Sequence, residues 1–306
     1  MTALVTGGTG VLGTALIANL GQATLLSRDP ARANRFGTSV KVHGWRPELE
    51  VPTPETLDGV DTVFHLAGEP VAEGRWTSEK KRRIHDSRVV GTRNLVAALA
   101  AGANHVKVLV SASAVGVYGD RGDQELDETS PAGDGFLAEV CQGWEREAMA
   151  AERLGVRVVC VRIGIVLAPR GGALAQMLSP FKLGVGGQLG DGRQWMPWVH
   201  IEDVVGSFLH AAAHEEIHGP LNCVSPHPVT NAQFTRTLAK TLHRPALLTV
   251  PKAALRIGFG EVSDVLLASQ RVLPRVAERT GYKFSYPELA GALSAVTTAT
   301  PSGAAA

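Results

Sequence analysis

Residues 2–13, Thr-Ala-Leu-Val-Thr-Gly-Gly-Thr-Gly-Val-Leu-Gly, decide the fold of this chain. The short apolar run within Thr2–Thr6 predicts a strand, and the helical spacing of apolar residues over Val11–Leu20 predicts a helix. A glycine-rich turn between a strand and a helix is typical of the first unit of a parallel sheet with crossover helices. The opening of the chain therefore predicts an α/β protein.

The same alternation of short apolar runs and longer helical patterns continues through the first half of the chain. Such alternation is typical of a parallel sheet with crossover helices. The further predicted strands are Ala23–Ser27, Val40–Gly44, Asp61–Leu66, Val106–Ser111 and Val156–Ile163. The further predicted helices of this half are Asp86–Ala101 and Phe136–Leu154. Since helices on both faces cover such a sheet, the predicted fold is a doubly wound parallel α/β sheet.

A change of composition after Gly164 predicts a smaller C-terminal lobe. Glycine clusters indicate loops and short elements there, before helical periodicity returns at Ile201–His214 and Asn231–Leu242. Leu221–Val224 predicts one more strand. We assign residues 1–165 to the sheet domain, with 201–225 returning to it, residues 166–200 and 226–296 to a substrate lobe, and residues 297–306 to a flexible tail.

Composition excludes several classes of protein. The chain has 306 residues, is 44% hydrophobic and 19% charged, and carries a net charge of +1, so neither a nucleic-acid footprint nor a basic membrane patch is expected. The cysteines Cys141, Cys160 and Cys223 are widely spaced, which predicts neither disulfides nor a metal site. With no signal peptide and no membrane-spanning run evident, a reduced, cytoplasmic protein is predicted.

The glycine turn predicts a dinucleotide site. Gly7 permits the tight turn, Gly10 lets the backbone approach a pyrophosphate, and Gly13 lets helix and strand pack closely. The N-terminus of the helix that follows offers free N–H groups and a positive dipole end to phosphate. The residues predicted to bind the cofactor here are Gly7, Thr9, Gly10, Val11, Leu12 and Gly13.

Arg28 follows the second strand, where cofactor choice is usually made, and favours NADP over NAD. A guanidinium pairs with a 2′-phosphate, whereas an acid would accept a hydrogen bond from the ribose 2′-hydroxyl. A small backbone shift would place Asp29 at the ribose 2′-hydroxyl instead of Arg28, which leaves NAD as the alternative. Arg32 and Arg35 are interpreted as solvated charges, with a supporting role at the phosphate as the other possibility.

Together with the glycine loop, His65-Leu-Ala-Gly68 and Val117-Tyr-Gly119 resemble the extended short-chain dehydrogenases/reductases. Within that superfamily, the chain is similar to the branch named for nucleoside-diphosphate-sugar epimerases that carries a C-terminal domain of unknown function. The further motifs behind this resemblance are Leu66–Pro70, Arg75–Thr77, Ser111–Gly116, Phe136–Cys141, Gly187–Gly192, Trp198–His200 and Ser269–Pro274. The resemblance runs from about Met1 to Val296.

The resemblance implies a second set of cofactor contacts. It places Leu66, Ala67 and Gly68 along the cofactor, Trp45 at the adenine, and Ser111 and Ala112 beside the nicotinamide. Ser113 is the best match to the catalytic serine of the superfamily, although the register is ambiguous by one residue because Gly116 looks inserted.

The chain also departs from the superfamily's proton-transfer pattern. Leu137 and Cys141 stand where relatives have the tyrosine acid/base and its lysine, and Arg88 stands where they often have an asparagine. Met196 replaces an arginine that grips diphosphate in many sugar-nucleotide epimerases, which weakens the expectation of a sugar nucleotide as substrate.

Three residues remain candidates for catalysis. Ser113 can donate a hydrogen bond to a carbonyl, Glu69 follows the cofactor-lining stretch, and Cys141 becomes a thiolate if it lies beside positive charge. The alternatives are that Glu69 anchors its loop and that Cys141 is a small buried hydrophobe. The resemblance makes Tyr118 structural, with a catalytic role as the other possibility.

Several other polar residues receive mainly structural interpretations. His200 and Asp203 are expected to hold a loop and a helix start, and the charge run Lys80–Arg83 is expected to face solvent. Arg193, Gln194 and Trp195 are predicted substrate-lobe contacts, with packing the more conservative reading of Trp195.

These observations predict an NADP-dependent oxidoreductase or epimerase-like enzyme. It would act by hydride transfer on a small carbonyl or hydroxyl compound and use a nonstandard proton donor, such as Glu69 or ordered water. The alternative is a regulator or scaffold that binds NADP without catalysis. The resemblance further implies a homodimer formed through the helices near residues 86–101 and 136–154.

Overall fold

A computed structural model describes residues 1–102 and 105–298. Fifteen strands are formed within these ranges, and they are β1 (Ala3–Thr6), β2 (Ala23–Ser27), β3 (Val40–Gly44), β4 (Thr62–His65), β5 (Val108–Ala114), β6 (Glu125–Leu126), β7 (Arg157–Ile163), β8 (Ile165–Leu167), β9 (Gly187–Leu189), β10 (Trp195–Met196), β11 (Trp198–His200), β12 (Gly219–Cys223), β13 (Val229–Thr230), β14 (Leu248–Val250) and β15 (Arg271–Val272).

The same ranges contain eleven α-helices, which are α1 (Val11–Leu20), α2 (Ser78–Asp86), α3 (Val89–Gly102), α4 (Phe136–Met149), α5 (Gly172–Lys182), α6 (Ile201–Ala213), α7 (Asn231–Leu242), α8 (Lys252–Phe259), α9 (Val262–Leu267), α10 (Arg275–Arg279) and α11 (Leu289–Thr298). Segments of 3₁₀ helix lie at Pro30–Ser39, Pro54–Leu57, Val115–Tyr118 and Ala150–Leu154. Within the described ranges, none of the helices combines the length and the apolar character needed to cross a bilayer.

Seven strands form one parallel sheet in the order β12-β7-β5-β4-β1-β2-β3. The chain moves from β1 to β3 in one direction and then from β4 to β12 in the other, so the order reverses between β1 and β4. Crossover helices lie on both faces, and the predicted doubly wound α/β fold is confirmed. Ligands of such sheets bind at the carboxyl ends of the strands where the order reverses, which is where the glycine turn follows β1.

Side chains alternate between the two faces of the sheet because successive residues of a strand point to opposite sides. Val110 packs on one face with Ile17 of α1 and Phe208 of α6. Leu109 packs on the other face with Leu95 of α3 and Ala148 of α4. Odd-numbered residues at the end of β5 therefore face α4.

The helix predicted at Asp86–Ala101 is the second of two helices, α2 and α3. The helical hydrogen bonding tightens at their junction, where Arg88 N–H donates to His85 O (3.1 Å), and resumes when Thr92 N–H donates to Arg88 O (2.9 Å). The helix predicted at Phe136–Leu154 is α4 followed by a 3₁₀ turn, which ends at Gly155 in the left-handed region (φ 80°). β5 extends to Ala114, beyond the predicted end, because it pairs with β7 as far as Ile163.

The C-terminal part combines small two-stranded sheets with a separate apolar core. The strand predicted at Leu221–Val224 is β12, and it pairs in parallel with β7 at the edge of the central sheet. Trp198, fully buried, packs with Leu174 of α5, Phe234 of α7 and Leu293 of α11. Of the predicted tail, residues 297 and 298 instead complete α11, and residues 299–306 lie outside the described part of the chain. The proposed domain boundaries stay predictions.

Candidate cofactor and active site

The glycine turn after β1 is shaped by close backbone packing. Gly7 is in the left-handed region (φ 69°), and a Cβ atom there would lie 2.6 Å from the carbonyl oxygen of Leu66. A Cβ atom on Gly13 would collide with the backbone of Gly7 and Gly8, whereas one on Gly10 would meet only Gly7 O, at 3.3 Å. Gly7 and Gly13 thus allow the backbone segments of the turn to pack closely, and Gly10 leaves the surface of the turn open to a ligand.

A groove of about 320 Å³ runs from this turn across the ends of β2 and β4. Eight of the predicted cofactor residues line it, namely Gly7, Thr9, Gly10, Arg28, Trp45, Leu66, Ala67 and Gly68. Further lining residues that the sequence did not single out are Leu26, Ser27, Pro47, Glu48, Pro70 and Ser87. The open face of Gly10 and the backbone-lined walls fit a dinucleotide.

The other five predicted cofactor residues lie outside this groove. Val11, Leu12 and Gly13 begin α1, behind the turn, and Ser111 and Ala112 are buried within β5. Ala112 packs into the apolar core on the α1 and α6 face of the sheet. Their contacts with a cofactor stay predictions.

Buried His65 holds the lining stretch Leu66–Gly68 in place. Its Nδ1 lies 2.7 Å from Thr6 Oγ1 and its Nε2 lies 2.8 Å from Thr92 Oγ1, so it links β1, β4 and α3. Thr6 Oγ1 in turn accepts from the N–H groups of Leu66 and Ala67 (both 3.1 Å). Burial lowers the pKa of His65 to about 3, which keeps the ring neutral. The histidine is therefore a structural link at the point where strand order reverses.

The charged residues after β2 leave Arg28 at the groove. The Arg28 side chain is 59% exposed, and Nη1 lies 4.0 Å from Glu69 Oε2. Asp29 also lines the groove, and it accepts from Arg32 N–H (3.4 Å) and lies 3.8 Å from Arg32 Nε. Arg35 is exposed, as a solvated charge would be, and its Nη2 also donates to Thr9 O (2.9 Å) and Thr14 Oγ1 (2.7 Å) next to the glycine turn.

Glu69 is surrounded by cations. Its Oε1 accepts from Lys80 Nζ (2.8 Å) and lies 3.5 Å from Arg83 Nε. Burial opposes ionisation of Glu69, but Lys80 and then Arg83 outweigh it and hold the pKa of Glu69 below its usual range. The expectation that the whole run Lys80–Arg83 faces solvent was wrong for Lys80, whose side chain is only 8% exposed. The pair ties the start of α2 to the groove.

Ser113 begins a continuous set of buried hydrogen bonds. Its hydroxyl donates to Glu145 Oε1 (2.6 Å), and the Glu145 carboxylate accepts from both Arg162 Nε and Arg162 Nη2 (2.9 Å each). Ser113, Arg162 and Asn222 are register partners on β5, β7 and β12, so they lie side by side on the face toward α4. Glu145 reaches them from α4.

Tyr118 extends this set toward β12. Its hydroxyl accepts from Arg162 Nη1 (2.9 Å) and donates to Asn222 Oδ1 (2.7 Å). Burial raises the pKa of Tyr118 to about 12, so the phenol stays neutral, in keeping with the structural role given to it. We refer to Ser113, Glu145, Arg162, Tyr118 and Asn222 as the polar network.

Neither Glu145 nor Arg162 was singled out by the sequence analysis, although each had a signal. Glu145 lies one helical turn after Cys141 and shares its face of α4. Arg162 is a charge between the apolar residues Val161 and Ile163 of β7, and a buried charge requires a partner.

Cys141 lies beside Ser113, where the superfamily has its lysine. Burial, followed by the nearby charge of Glu145, raises the pKa of Cys141 to about 11, so the thiol is protonated at neutral pH. The loop after β5 closes onto the same part of α4, and a Cβ atom on Gly116 would lie 3.4 Å from Leu137 Cβ and 3.9 Å from Cys141 Sγ. Thiol and hydroxyl are thus brought together, and no thiolate is favoured.

Arg88 places a guanidinium between the groove and α4. Its Nη1 donates to Glu69 O (3.0 Å) and Ile84 O (3.2 Å), and its Cζ lies 5.1 Å from the centroid of a Trp144 ring. A Cβ atom on Gly68 would lie 3.0 Å from the same Cζ. The sequence marked Arg88 only as a departure from the superfamily pattern.

A second cavity, of about 640 Å³, lies in the C-terminal part. The predicted contacts Arg193, Gln194 and Trp195 all line it, together with Asp120, Asp123, Asp191, Lys252 and Ser269.

His200 Nδ1 accepts from Glu202 N–H (3.2 Å) at the start of α6, while Asp203 accepts from Ser285 N–H (2.6 Å) and Tyr286 N–H (2.9 Å). His200 and Asp203 are structural in this arrangement.

Comparison with known proteins gives a consistent result. Residues 3–223 match the NAD dependent epimerase/dehydratase family, and residues 250–296 match a domain of unknown function, DUF1731. An epimerase family protein of Mycobacterium bovis is 40% identical over 300 residues, which are 96% of this chain and 97% of the relative. The epimerase family protein YfhF of Bacillus subtilis is 36% identical over 298 residues, with coverage of 96% and 97%.

Solved structures of two proteins of this kind have the same fold. The crystal structure of human epimerase family protein SDR39U1 (isoform 2) with NADPH superposes with a TM-score of 0.86 at 36% identity, covering 98% of this chain and 100% of that one. A nucleoside-diphosphate sugar epimerase of Corynebacterium glutamicum gives a TM-score of 0.78 at 33% identity, covering 97% of this chain and 58% of that one.

Proposed function

Because the chain belongs to the NAD dependent epimerase/dehydratase family, we propose that it is an NADP-dependent oxidoreductase or epimerase-like enzyme. It transfers hydride to or from a small carbonyl or hydroxyl compound. The observation that carries this proposal is the groove at the point of strand-order reversal, with Ser113 and Cys141 together beyond it on β5 and α4. Such a groove is the usual ligand site of a doubly wound sheet.

NADP is favoured over NAD by the charges at the groove. Arg28, Asp29 and Arg32 all line it, and because Asp29, which would favour NAD, is offset by Arg32 at 3.8 Å, a net positive charge is left at the groove. The human relative was crystallised with NADPH, which supports the same cofactor here. When bound, NADPH supplies the hydride, so the protein has to orient the substrate and manage one proton.

We assign substrate orientation to Ser113. Its single hydroxyl proton is donated to Glu145, so the oxygen is left to accept a hydrogen bond from a substrate hydroxyl, and the Cys141 thiol lies beside it. Glu69 is ionised and held by Lys80, so it suits loop anchoring better than proton donation. We therefore place the proton transfer on ordered water beside Ser113, with the protonated Cys141 thiol as a weak donor that lines the site.

The first test is a fluorescence titration with NADPH and NADH, repeated with Arg28→Ala and with Arg236→Ala as a matched control on the exposed side of α7. We expect NADPH to bind more tightly than NADH, and Arg28→Ala to weaken NADPH alone by about tenfold or more, as loss of a charged hydrogen bond implies. Turnover over a panel of carbonyl compounds, compared with Ser113→Ala, then tests catalysis. Failure to bind either nucleotide would overturn the proposal.

A second candidate function is an NADP-binding regulator without turnover. It is favoured by the half-buried Leu137 and the buried Cys141, which put no acid at the position of the superfamily's relay. Tight binding with no turnover on any carbonyl would support it. The double change Leu137→Tyr with Cys141→Lys distinguishes the two further, because activity gained only in that variant indicates an intact scaffold that lacks its relay.

Assembly and location are further parts of the proposal. We propose a homodimer formed through α3 and α4, which pack together and share the Arg93–Glu147 ion pair (2.7 Å) on their outer side. All three cysteines are unpaired and buried, which is compatible with a reducing, cytoplasmic setting. Light scattering of wild type and Arg93→Glu tests the dimer.

A further inference from the structure

Arg88 has an open hydrogen-bonding edge that nothing in the fold requires. Its Nη1 is anchored by two carbonyl oxygens, whereas Nε and Nη2 make no hydrogen bond to any residue within 1–102 or 105–298. Neither atom is among the buried polar atoms without partners, so solvent reaches this edge. The side chain is therefore fixed on one side and available on the other.

The guanidinium plane is held rigidly. A Cβ atom on Gly68 would lie 3.0 Å from Cζ, 3.1 Å from Nη2 and 3.4 Å from Nε, so Gly68 lies against one face of the group. A Trp144 ring lies 5.1 Å from Cζ, within the range of a cation–π contact. An arginine that is already ordered loses little entropy when it binds a ligand.

The charge of Arg88 is also not neutralised by a direct ion pair among the described residues. Glu69, the nearest acid, offers Arg88 only its backbone carbonyl, while its carboxylate is bound by Lys80. A partly buried cation without a carboxylate partner is unfavourable unless a ligand completes it. The same charge acts on Cys141 and His65, which places it at the junction of the groove and α4.

Resting on the proposed function, we infer that Arg88 binds the substrate through the Nε–Nη2 edge, and that the substrate is a small carbonyl or hydroxyl compound bearing a carboxylate. Two parallel N–H donors match the two oxygens of a carboxylate. A pair of ribose hydroxyls on the cofactor presents the same acceptor pattern and is the other source of this chemistry. The two sources are separated by measuring the cofactor and the acid independently.

The experiment uses the full chain saturated with NADP⁺ and measures binding of oxalate by calorimetry, with oxamide as the uncharged control. Arg88→Lys keeps the charge and removes the two-donor edge, and Arg88→Gln removes the charge. Arg236→Gln, which alters an exposed arginine on α7, is the matched control. Affinity for NADPH is measured for each protein without oxalate, and melting curves verify folding.

We expect oxalate to bind the wild type and Arg236→Gln, and oxamide to bind neither. Arg88→Gln should weaken oxalate by about tenfold to a hundredfold and Arg88→Lys by less, with NADPH affinity unchanged within about twofold. A loss of NADPH affinity at least as large as the loss of oxalate affinity would assign Arg88 to the cofactor and overturn the inference. The inference would also be overturned if oxalate bound the wild type, Arg88→Lys and Arg88→Gln with equal affinity.

The outcomes also separate this inference from the proposed function. If the wild type binds NADPH but not oxalate, the carboxylate assignment fails while the cofactor site stands. If it binds no nucleotide, the proposed function itself fails. Should Arg88→Gln not fold, Arg88→Lys carries the test, since it retains the cation over Trp144.

Discussion

The two ends of the proposed active site are built by different forces. At the cofactor end, the turn Gly7–Gly13 and the stretch Leu66–Gly68 meet backbone against backbone, with space for no additional Cβ at Gly7 or Gly13. At the other end, the polar network joins β5, β7, β12 and α4 through charged and neutral side chains. Sterics define the first end, and electrostatics defines the second.

This difference indicates which changes each end tolerates. A backbone cradle accepts most side-chain chemistry nearby but no added bulk, because close-packed atoms have nowhere to move. A buried network accepts isosteric changes but not the loss of one charge, because the remaining charge is then unpaired. Substitutions at the two ends should therefore fail in distinct ways.

The largest effect is expected for Glu145→Gln, which leaves Arg162 buried without its anionic partner. Breaking one side of a buried ion pair costs about 3–5 kcal/mol of folding free energy. Glu147→Gln on the same helix is the matched control, because it disrupts a pair with exposed Arg93 that contributes about 1 kcal/mol or less. Urea unfolding of both variants measures the difference, and equal losses would show that the network is not electrostatically special.

Gly7→Ala tests the steric end and should have the next largest effect. The new methyl group would approach Leu66 O at 2.6 Å in a left-handed backbone, so we expect a loss of about 2–4 kcal/mol and of NADPH binding. Gly21→Ala is the control, since Gly21 is also left-handed (φ 74°) but has no neighbour within 4 Å of its Cβ position. Similar melting temperatures for the two variants would refute steric control of the turn.

The sequence predicted the cofactor end far better than the network. Glycine spacing, apolar strands and Arg28 are local patterns, and each is read within a few residues of the chain. Glu145 and Arg162 come into contact only because β5 pairs with β7, and no local sequence pattern near either residue predicts that pairing. Tertiary register, rather than local preference, creates the network.

Burial of a charge was equally hard to predict. Lys80 lies within a run of four cations, which is normally a solvated helix face, and its partner Glu69 belongs to a different segment. The break between α2 and α3 escaped prediction because it contains neither glycine nor proline, but only a tightened turn at Ser87 and Arg88. That break places the Arg88 guanidinium against Gly68, which lines the groove.

Lys80→Met sharpens the comparison within the cofactor end, where one ion pair supplements the steric packing. Glu69 keeps Arg83 nearby, so the expected loss is about 1–2 kcal/mol, the cost of one charged hydrogen bond. Lys81→Met is the matched control, because Lys81 is more exposed and pairs with an exposed glutamate. If both changes cost the same, the burial of Lys80 contributes nothing to stability.

The smallest effects are expected from pH, and they should have opposite signs at half-buried Glu69 and buried Glu128. The pKa of Glu69 is lowered by Lys80 and Arg83, so its stabilisation is present above the unfolded-state value and is lost as the pH falls. Glu128 accepts from Asn222 N–H (3.0 Å) through Oε1, and its buried Oε2 makes no hydrogen bond within the described ranges. Burial raises the pKa of Glu128, so its stabilisation is present at low pH and is lost as the pH rises through that value.

Urea unfolding of wild type, Glu69→Gln and Glu128→Gln between about pH 3 and 7, a range that extends below the unfolded-state pKa of glutamate, measures both contributions. Relative to wild type, Glu69→Gln should lose less stability on acidification, because the substituted amide has no charge to neutralise. Glu128→Gln should gain relative stability as the pH rises, because an amide replaces a carboxyl that would otherwise ionise beside the polar network. Parallel pH profiles for the two variants would mean that the cofactor end and the network end share one electrostatic environment, which would remove the distinction between them.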